Sequence, residues 1–304
     1  MKVSYYPGCS LEGTARDYEE SIQAVCKTLD VELQELEDWN CCGSTAAHSL
    51  DHRASIALPA RNIAIAGEAG LEDVVVPCPL CFNRLKASEK ALLGDDGIPV
   101  EGKPKIWDLA NFVAQDHILD LIEPKVTSPL KGFKAVCYYG CMSSRPPKIT
   151  DAEDPENPMS MDRILARLGI KTIDWSYKTD CCGASHVIAR QDVVFRLVGK
   201  LYQKALEAGA NCIVVSCQMC QANLDMYQDK IGKELGTELY LPIIYFTELI
   251  GLAMGDRGVD TWLSRHFVDP RELVKRLEAE RLEAEKLEAE KPAKKEKAKK
   301  AKSQ

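Results

Sequence analysis

Ten of the thirteen cysteines in this 304-residue chain fall into two sets of one design. The first is Cys9, 31 residues, Cys41–Cys42, 35 residues, then Cys78-x-x-Cys81. The second is Cys141, 39 residues, Cys181–Cys182, 34 residues, then Cys217-x-x-Cys220. Each adjacent pair precedes a glycine, in WNCCG (39–43) and DCCG (180–183), and both CxxC positions recur after the same 139 residues. A pattern repeated at this length marks an internal duplication. Clustered thiols point to metal or redox chemistry. Structural zinc takes four ligands in a tetrahedron, and two adjacent cysteines chelate one small ion poorly because the ring through the peptide is strained. A polynuclear iron–sulfur centre offers several irons to neighbouring thiolates. An ordinary cubane takes four cysteines, so five argue for a non-standard cluster. A lone CxxC would read as a zinc ribbon or a thioredoxin-like pair, and a lone CC as a vicinal disulfide. The duplicated set favours iron–sulfur ligation over zinc.

These thiols, scattered along the chain, need a scaffold that gathers them. Residues 2–8 (KVSYYPG) and 134–140 (KAVCYYG) read as strands ending in turns. Residues 31–36 match 170–175, and 73–78 match 212–217, again as strands. Helical patterns lie between them, at 17–29, 54–69 and 191–208. Alternating strands and helices predict βαβ units and parallel sheets. The fold class is therefore α/β: two pseudo-symmetric parallel-sheet domains, residues 1–128 and 129–270, followed by a charged low-complexity tail, 271–304. Every cysteine group follows a predicted strand. In a parallel sheet all strands end at one edge, where ligands bind, so each set of five should converge there. Gly43 and Gly183 supply tight turns beside the paired thiols. A CxxC at a strand-to-helix turn also feels the helix N-terminus, which favours the thiolate.

On these residues the chain resembles the cysteine-rich CCG domain, C-x(31–39)-CC-x(33–38)-CxxC, and, with two copies over residues 1 to about 270, the B subunit of heterodisulfide reductase. The resemblance implies a noncubane [4Fe–4S] cluster in each domain. Its ligands would be Cys9, Cys41, Cys42, Cys78 and Cys81 in the first, and Cys141, Cys181, Cys182, Cys217 and Cys220 in the second. It implies that the clusters face one another across a cleft in which a small-molecule or protein-bound disulfide is split. It also implies two partners, a ferredoxin-like subunit that delivers electrons and, beyond it, a flavoprotein subunit that supplies them. No GxGxxG fingerprint occurs in the chain, so neither flavin nor nicotinamide is expected here.

Cys26, Cys137 and Cys212 stand outside the pattern and read as buried, inert thiols. Cys141 is preferred to Cys137 because Tyr138-Tyr139-Gly140-Cys141 echoes Tyr5-Tyr6-Pro7-Gly8-Cys9. Methanogen members of the family often carry a histidine after this cysteine, followed by RP or KP; here Met142 stands there, with Arg145-Pro146 nearby. Met142 cannot donate a proton to a departing thiolate, which separates this chain from the methanogen substrate. His48 and His186, each following a CC pair, are the candidates for that role. The proline-rich, acidic segment 142–160 reads as an exposed loop.

The formal charge is −7, yet residues 291–304 hold seven lysines against one glutamate. The body is thus more acidic than the whole, which disfavours nucleic acid. Leu273, Leu277, Leu282 and Leu287 step by 4, 5 and 5 residues, off any coiled-coil period. A solvated helix leading into a disordered basic tail is expected. No run of residues is long and apolar enough for a membrane span. The N-terminus lacks a secretory pattern, so the cytoplasm is the expected compartment, consistent with many free thiols. The leading function is that of a disulfide reductase, or thiol oxidase, within a larger complex. The alternatives are an electron-transfer protein serving another oxidoreductase or a quinone pool, and a zinc-binding or redox-sensing module.

Overall fold

The structure is a computed structural model and describes residues 1–92 and 103–301. The first half holds a parallel sheet of four strands in the order β2-β1-β3-β4: β1 Lys2–Tyr5, β2 Glu32–Glu35, β3 Asp73–Val76 and β4 Lys105–Asp108. The second holds a three-stranded parallel sheet in sequence order: β5 Ala135–Tyr138, β6 Cys212–Val215 and β7 Ile243–Tyr245. The central strands are apolar and covered on both faces: in β3 Val74, Val75 and Val76 are fully buried, and so is all of β6, Cys212 to Val215. That is the pattern of a parallel strand between two helical layers. At the edge, β2 (ELQE) is polar and half exposed, yet pairs with β1 along its length, Lys2↔Glu32 to Tyr5↔Glu35.

The two sheets differ in one respect from the predicted symmetry. Residues 170–175 run beside β5 but form no strand. Ile173 N–H donates to Ala135 O, but Ile170 N–H turns back to Leu165 O. The next acceptor, Cys137 O, is taken by the indole N–H of Trp175 at 2.8 Å. A side chain thus occupies a position that a ladder would need. Strands β4 and β7, which the sequence reading leaves unassigned, extend each sheet on its other side, next to β3 and β6.

The halves are joined as an isologous pair within one chain. The helix after β7 (Phe246–Met254) packs on helix Arg16–Thr28, which follows β1. Reciprocally, the helix after β4 (Leu109–Val113) packs on Ser160–Arg167, which follows β5. Each contact repeats the other with the halves exchanged, the hallmark of a two-fold interface. One hydrophobic core runs through it, from Tyr18 and Ile22 to Phe246 and Leu249.

The segment from 271 forms a single helix, Arg271–Ala301, where a shorter helix and then disorder are expected; residues 302–304 lie outside the described residues. Its first turns are no solvated appendage. Leu273 and Leu277 are buried in the main core, Leu277 against Gly132. Tyr240 Oη accepts from Leu273 N–H at 2.9 Å. Leu273 and Leu277 meet the body, while Leu282 is exposed.

Candidate metal centre

Each half gathers five cysteines at the carboxyl edge of its sheet. In the first, Cys9 follows β1, Cys41 and Cys42 follow β2, Cys78 follows β3, and Cys81 lies in the first turn of helix Pro79–Leu92. Cys42 Sγ lies 3.3 Å from Cys81 Sγ, and Cys9 lies beside Cys41, Cys42 and Cys78. In the second, Cys182 Sγ lies 3.8 Å from Cys220 Sγ, and Cys141 pairs with Cys181 close to Cys182 and Cys217. The glycine after each pair turns its own amide on to the preceding thiol: Gly43 N–H to Cys41 Sγ at 3.4 Å, Gly183 N–H to Cys181 Sγ at 3.3 Å. Both glycines have positive φ, 70° and 78°. The buried members are Cys42, Cys78 and Cys81, matched by Cys182, Cys217 and Cys220; Cys9, Cys41 and Cys181 are exposed. Each nest is therefore closed on its inner side and open to solvent on its outer side.

Two further glycines lie directly against ligand sulfurs. A Cβ on Gly8 would stand 3.1 Å from Cys81 Sγ, and one on Gly140 only 2.9 Å from Cys220 Sγ. Their φ values, 75° and 67°, are also left-handed. The thiols share protons within each nest. The hydrogen bond to Cys141 holds Cys181 down to about 6, helped by Gly183 N–H and His186, while Cys141 is pushed up. The hydrogen bond to Cys220 holds Cys182 down to about 7, and Cys220 rises in turn. The same exchange sets Cys42 low and Cys81 high. Thiolates are the metal-binding form, so both nests are prepared for a metal group. Ten convergent sulfurs in two sets of five, glycines whose Cβ would crowd a ligand sulfur, and nearby buried amide atoms without partners fit a polynuclear iron–sulfur group better than a four-coordinate zinc.

The family profile of the cysteine-rich domain CCG matches residues 3–86 and 135–225, more than half of the chain. The chain belongs to this cysteine-rich domain family. It carries two CCG domains, each bearing one nest. It is 28% identical over 283 residues to the 8-methylmenaquinol:fumarate reductase membrane anchor subunit of Wolinella succinogenes, covering 90% of this chain and 99% of that protein. It is 25% identical over 270 residues to the B subunit of ferredoxin:CoB-CoM heterodisulfide reductase from Methanosarcina mazei, covering 84% and 89%. Among solved structures, a hypothetical protein from Helicobacter pylori shares the fold at a TM-score of 0.63 and 10% identity. That match covers 88% of this chain, which spans about half (52%) of the solved one.

Residues that the spacing rule does not name hold the CCG loops in place. Tyr6 donates its hydroxyl to Asn40 O at 2.9 Å and Tyr138 donates to Asp180 O at 2.6 Å, so each fixes the carbonyl just before a CC pair. The repeated aromatic pair before Gly-Cys was the available signal. Asn62 clasps Asn40 from both sides, its Oδ1 accepting Asn40 N–H and its Nδ2 donating to Asn40 O. Asn223 donates to Cys182 O at 2.7 Å. Asn83 in the first domain donates to Met142 O and Arg145 O beside the second nest, at 3.1 and 3.0 Å. Met142 thus serves the link between nests through its carbonyl.

The two candidate histidines are both exposed but not at equivalent positions: His48 stands six residues after Cys42 and His186 four after Cys182. His48 Nδ1 meets Arg84 Nη1 at 3.0 Å, and Arg84 in turn favours the Cys42 thiolate. His186 acts on Cys181 directly. Cys26, Cys137 and Cys212 are buried away from both nests, and burial pushes Cys26 and Cys212 up to about 12. Segment 142–160 is anchored rather than loose: Arg145 binds Thr179 O and Thr179 Oγ1 and pairs with Glu156. It walls a cleft of about 700 Å³ shared with Lys86, Lys105 and Asp108, which none of the ten cysteines lines.

The domain interface also buries three ionisable groups, Asp17, Glu248 and His266, with their polar atoms within 4.8 Å of one another. Here His266 Nε2 meets Glu248 Oε1 at 2.9 Å. Asp225 holds the segment carrying His266 by accepting from Phe267 N–H and Val268 N–H. Burial alone would lower the His266 pKa. Glu248, and after it Asp225 and Asp17, outweigh that and raise it to about 9.

Proposed function

We propose that the chain is the iron–sulfur catalytic subunit of a heterodisulfide reductase-like complex. In this reading Cys9, Cys41, Cys42, Cys78 and Cys81 hold one noncubane [4Fe–4S] cluster, and Cys141, Cys181, Cys182, Cys217 and Cys220 a second. When bound, such clusters supply one-electron transfer at each of two neighbouring points. The observation that carries the reading is the open outer face of both nests. Exposed Cys9 and Cys41 on one, and Cys181 on the other, leave room for a sulfur substrate to reach each group. A purely relaying centre needs no such opening.

The reaction balances as one disulfide, two electrons and two protons giving two thiols. A ferredoxin-like partner, fed by a flavoprotein partner, delivers the electrons. The chain's own residues orient the substrate and manage charge. Arg84, beside Cys42 and in contact with His48, presents a cation to an anionic substrate. In this reading His48 and His186 hand protons to the separating sulfurs. Both are exposed, in keeping with a substrate that arrives from solvent, and the cytoplasm is the proposed compartment.

A second reading rests on the relative from Wolinella succinogenes, whose name places it with a quinol-linked fumarate reductase. Under it the same clusters relay electrons to another oxidoreductase or to quinone. No helix among the described residues is long and apolar enough to cross a membrane.

Copurification with the ferredoxin-like and flavoprotein partners, followed by assay of candidate disulfides with a reduced dye, separates the two. Disulfide-dependent dye oxidation that needs both nests supports the reductase. Oxidation by a quinone analogue alone, with every disulfide inert, overturns it. Iron near 8 per chain, from two four-iron centres, is required by both; stoichiometric zinc without iron sinks both.

A further inference from the structure

The internal symmetry is broken at one place between the nests. Both CxxC motifs turn from strand into helix, but their second residues differ: Pro79 in Cys78-Pro79-Leu80-Cys81 and Gln218 in Cys217-Gln218-Met219-Cys220. Gln218 opens helix Gln218–Asp225 and is 3% exposed, and neither its Nε2 nor its Oε1 has a hydrogen-bond partner among the described residues. A buried amide with both ends unsatisfied is costly, so its orientation calls for a partner that the protein atoms do not supply. The side chain approaches Cys78 across the interface without completing a hydrogen bond to it. The neighbouring contacts agree. Tyr18 of the first domain donates its hydroxyl to Ser216 O at 3.0 Å, which brings segment 216–218 against the first nest. Tyr18 lies near both Cys78 and Cys217.

We infer that Gln218, carried by the second nest, donates its amide to the sulfur side of the first nest and makes the first centre the easier of the two to reduce. The inference rests on the iron–sulfur reading above and adds to it a direction. A donor facing a thiolate or cluster sulfur stabilises the more negative, reduced state and raises the potential. Proline has no N–H and no side-chain donor, so Pro79 cannot return the favour to the second nest. Two groups that the duplication would leave equivalent are thereby set apart. With both groups bound, the first centre would be the stronger oxidant of the two. Gln218 is a positioning residue in this scheme, acting through the ligand set rather than on substrate.

The test is a redox titration of the iron-loaded protein followed by EPR, comparing wild type with Gln218→Met, which keeps the length and removes the amide. The signal lost in Cys42→Ser identifies the first centre. Expected is a fall in the first centre's midpoint with the second unchanged and the iron content retained. Potentials that do not move, or that move equally for both centres, overturn the inference. Gln218→Glu, which replaces the donor by an acceptor, should lower the first midpoint further. A measurement without any variant guards against poor loading: ENDOR on protein labelled with ¹⁵N in glutamine side chains should show a coupling on the first centre alone. Absence of that coupling also overturns it. Wild-type protein that binds no iron–sulfur group would instead defeat the metal reading itself, so the two failures are distinguishable.

Discussion

Tyr18 lies flat on Tyr245, with ring centroids 4.1 Å apart and planes 7° from parallel. One ring belongs to the first domain and the other to the second, and both are fully buried. Beside them Ser21 Oγ meets Thr247 Oγ1 at 2.7 Å, and Arg265 binds Glu20. This stack lies in one of the two reciprocal contacts between the halves, so it helps fix how they are joined. Tyr18→Ala should cost about 3–5 kcal/mol, the range for emptying a large core site. Tyr18→Phe, which loses only the bond to Ser216 O, should cost about 0.5–1.5 kcal/mol. Urea unfolding measures both, and equal losses would refute the role given to the stack.

The small residues before the first ligand of each nest have their own test. Gly8→Ala and Gly140→Ala each place a Cβ against a ligand sulfur, at 3.1 and 2.9 Å, on left-handed backbone. Each should lose the iron of its own nest and keep the other, so iron falls by about half. Full iron in both variants would contradict the cradle.

Cys42→Ser should likewise remove or convert the first centre and spare the second. Cys26→Ser and Cys212→Ser should leave iron unchanged, because both thiols are buried and held protonated. Retention of full iron and unaltered EPR signals in Cys42→Ser would break the assignment.

His266 gives a pH signature in stability. Its pKa is raised from 6.5 to about 9 by Glu248, Asp225 and Asp17 against the effect of burial. A raised histidine contributes fully below its unfolded value and loses that contribution as pH climbs through its folded value. The contribution is therefore complete below pH 6.5 and fades between 6.5 and about 9. Breaking such a buried pair costs about 3–5 kcal/mol. His266→Gln should be less stable at pH 6.5, and its stability should fall less than that of wild type across this window. Parallel curves would show that His266 is neutral in the fold.

The start of helix Arg271–Ala301 is docked on the body, whereas Leu282 is exposed. Leu273→Ala should destabilise by about 2–5 kcal/mol, because Leu273 is wholly buried. Leu282→Ala, at a half-exposed position, should change stability little. Comparable losses at both would place Leu282 in the core as well.

The residues alone determined a good deal. Strand ends followed by cysteines, a 139-residue recurrence and alternating β-branched and helical runs led to two parallel sheets with thiols at one edge of each. Those features are local: a strand, a turn and a CxxC are set by nearby residues and by the rule that parallel strands end together. The spacing also set Cys26, Cys137 and Cys212 apart from the nests, where burial keeps them.

Other features depend on partners distant in the chain, and only the tertiary structure decided them. Residues 170–175 have strand composition, but Trp175 claims Cys137 O and the ladder is lost. Leu273 and Leu277 look like part of a solvated repeat, but the surface around Gly132 and Tyr240 buries them. Asp17 and His266 show no pattern because they are brought together by the packing of two halves. Gln218 reads as an ordinary polar residue between two cysteines. Its significance lies in a burial and an approach to Cys78, 140 positions earlier, that no spacing rule encodes. Periodicity records which side of its own element a residue faces. Which other element lies there is settled by the free energy of packing the whole chain.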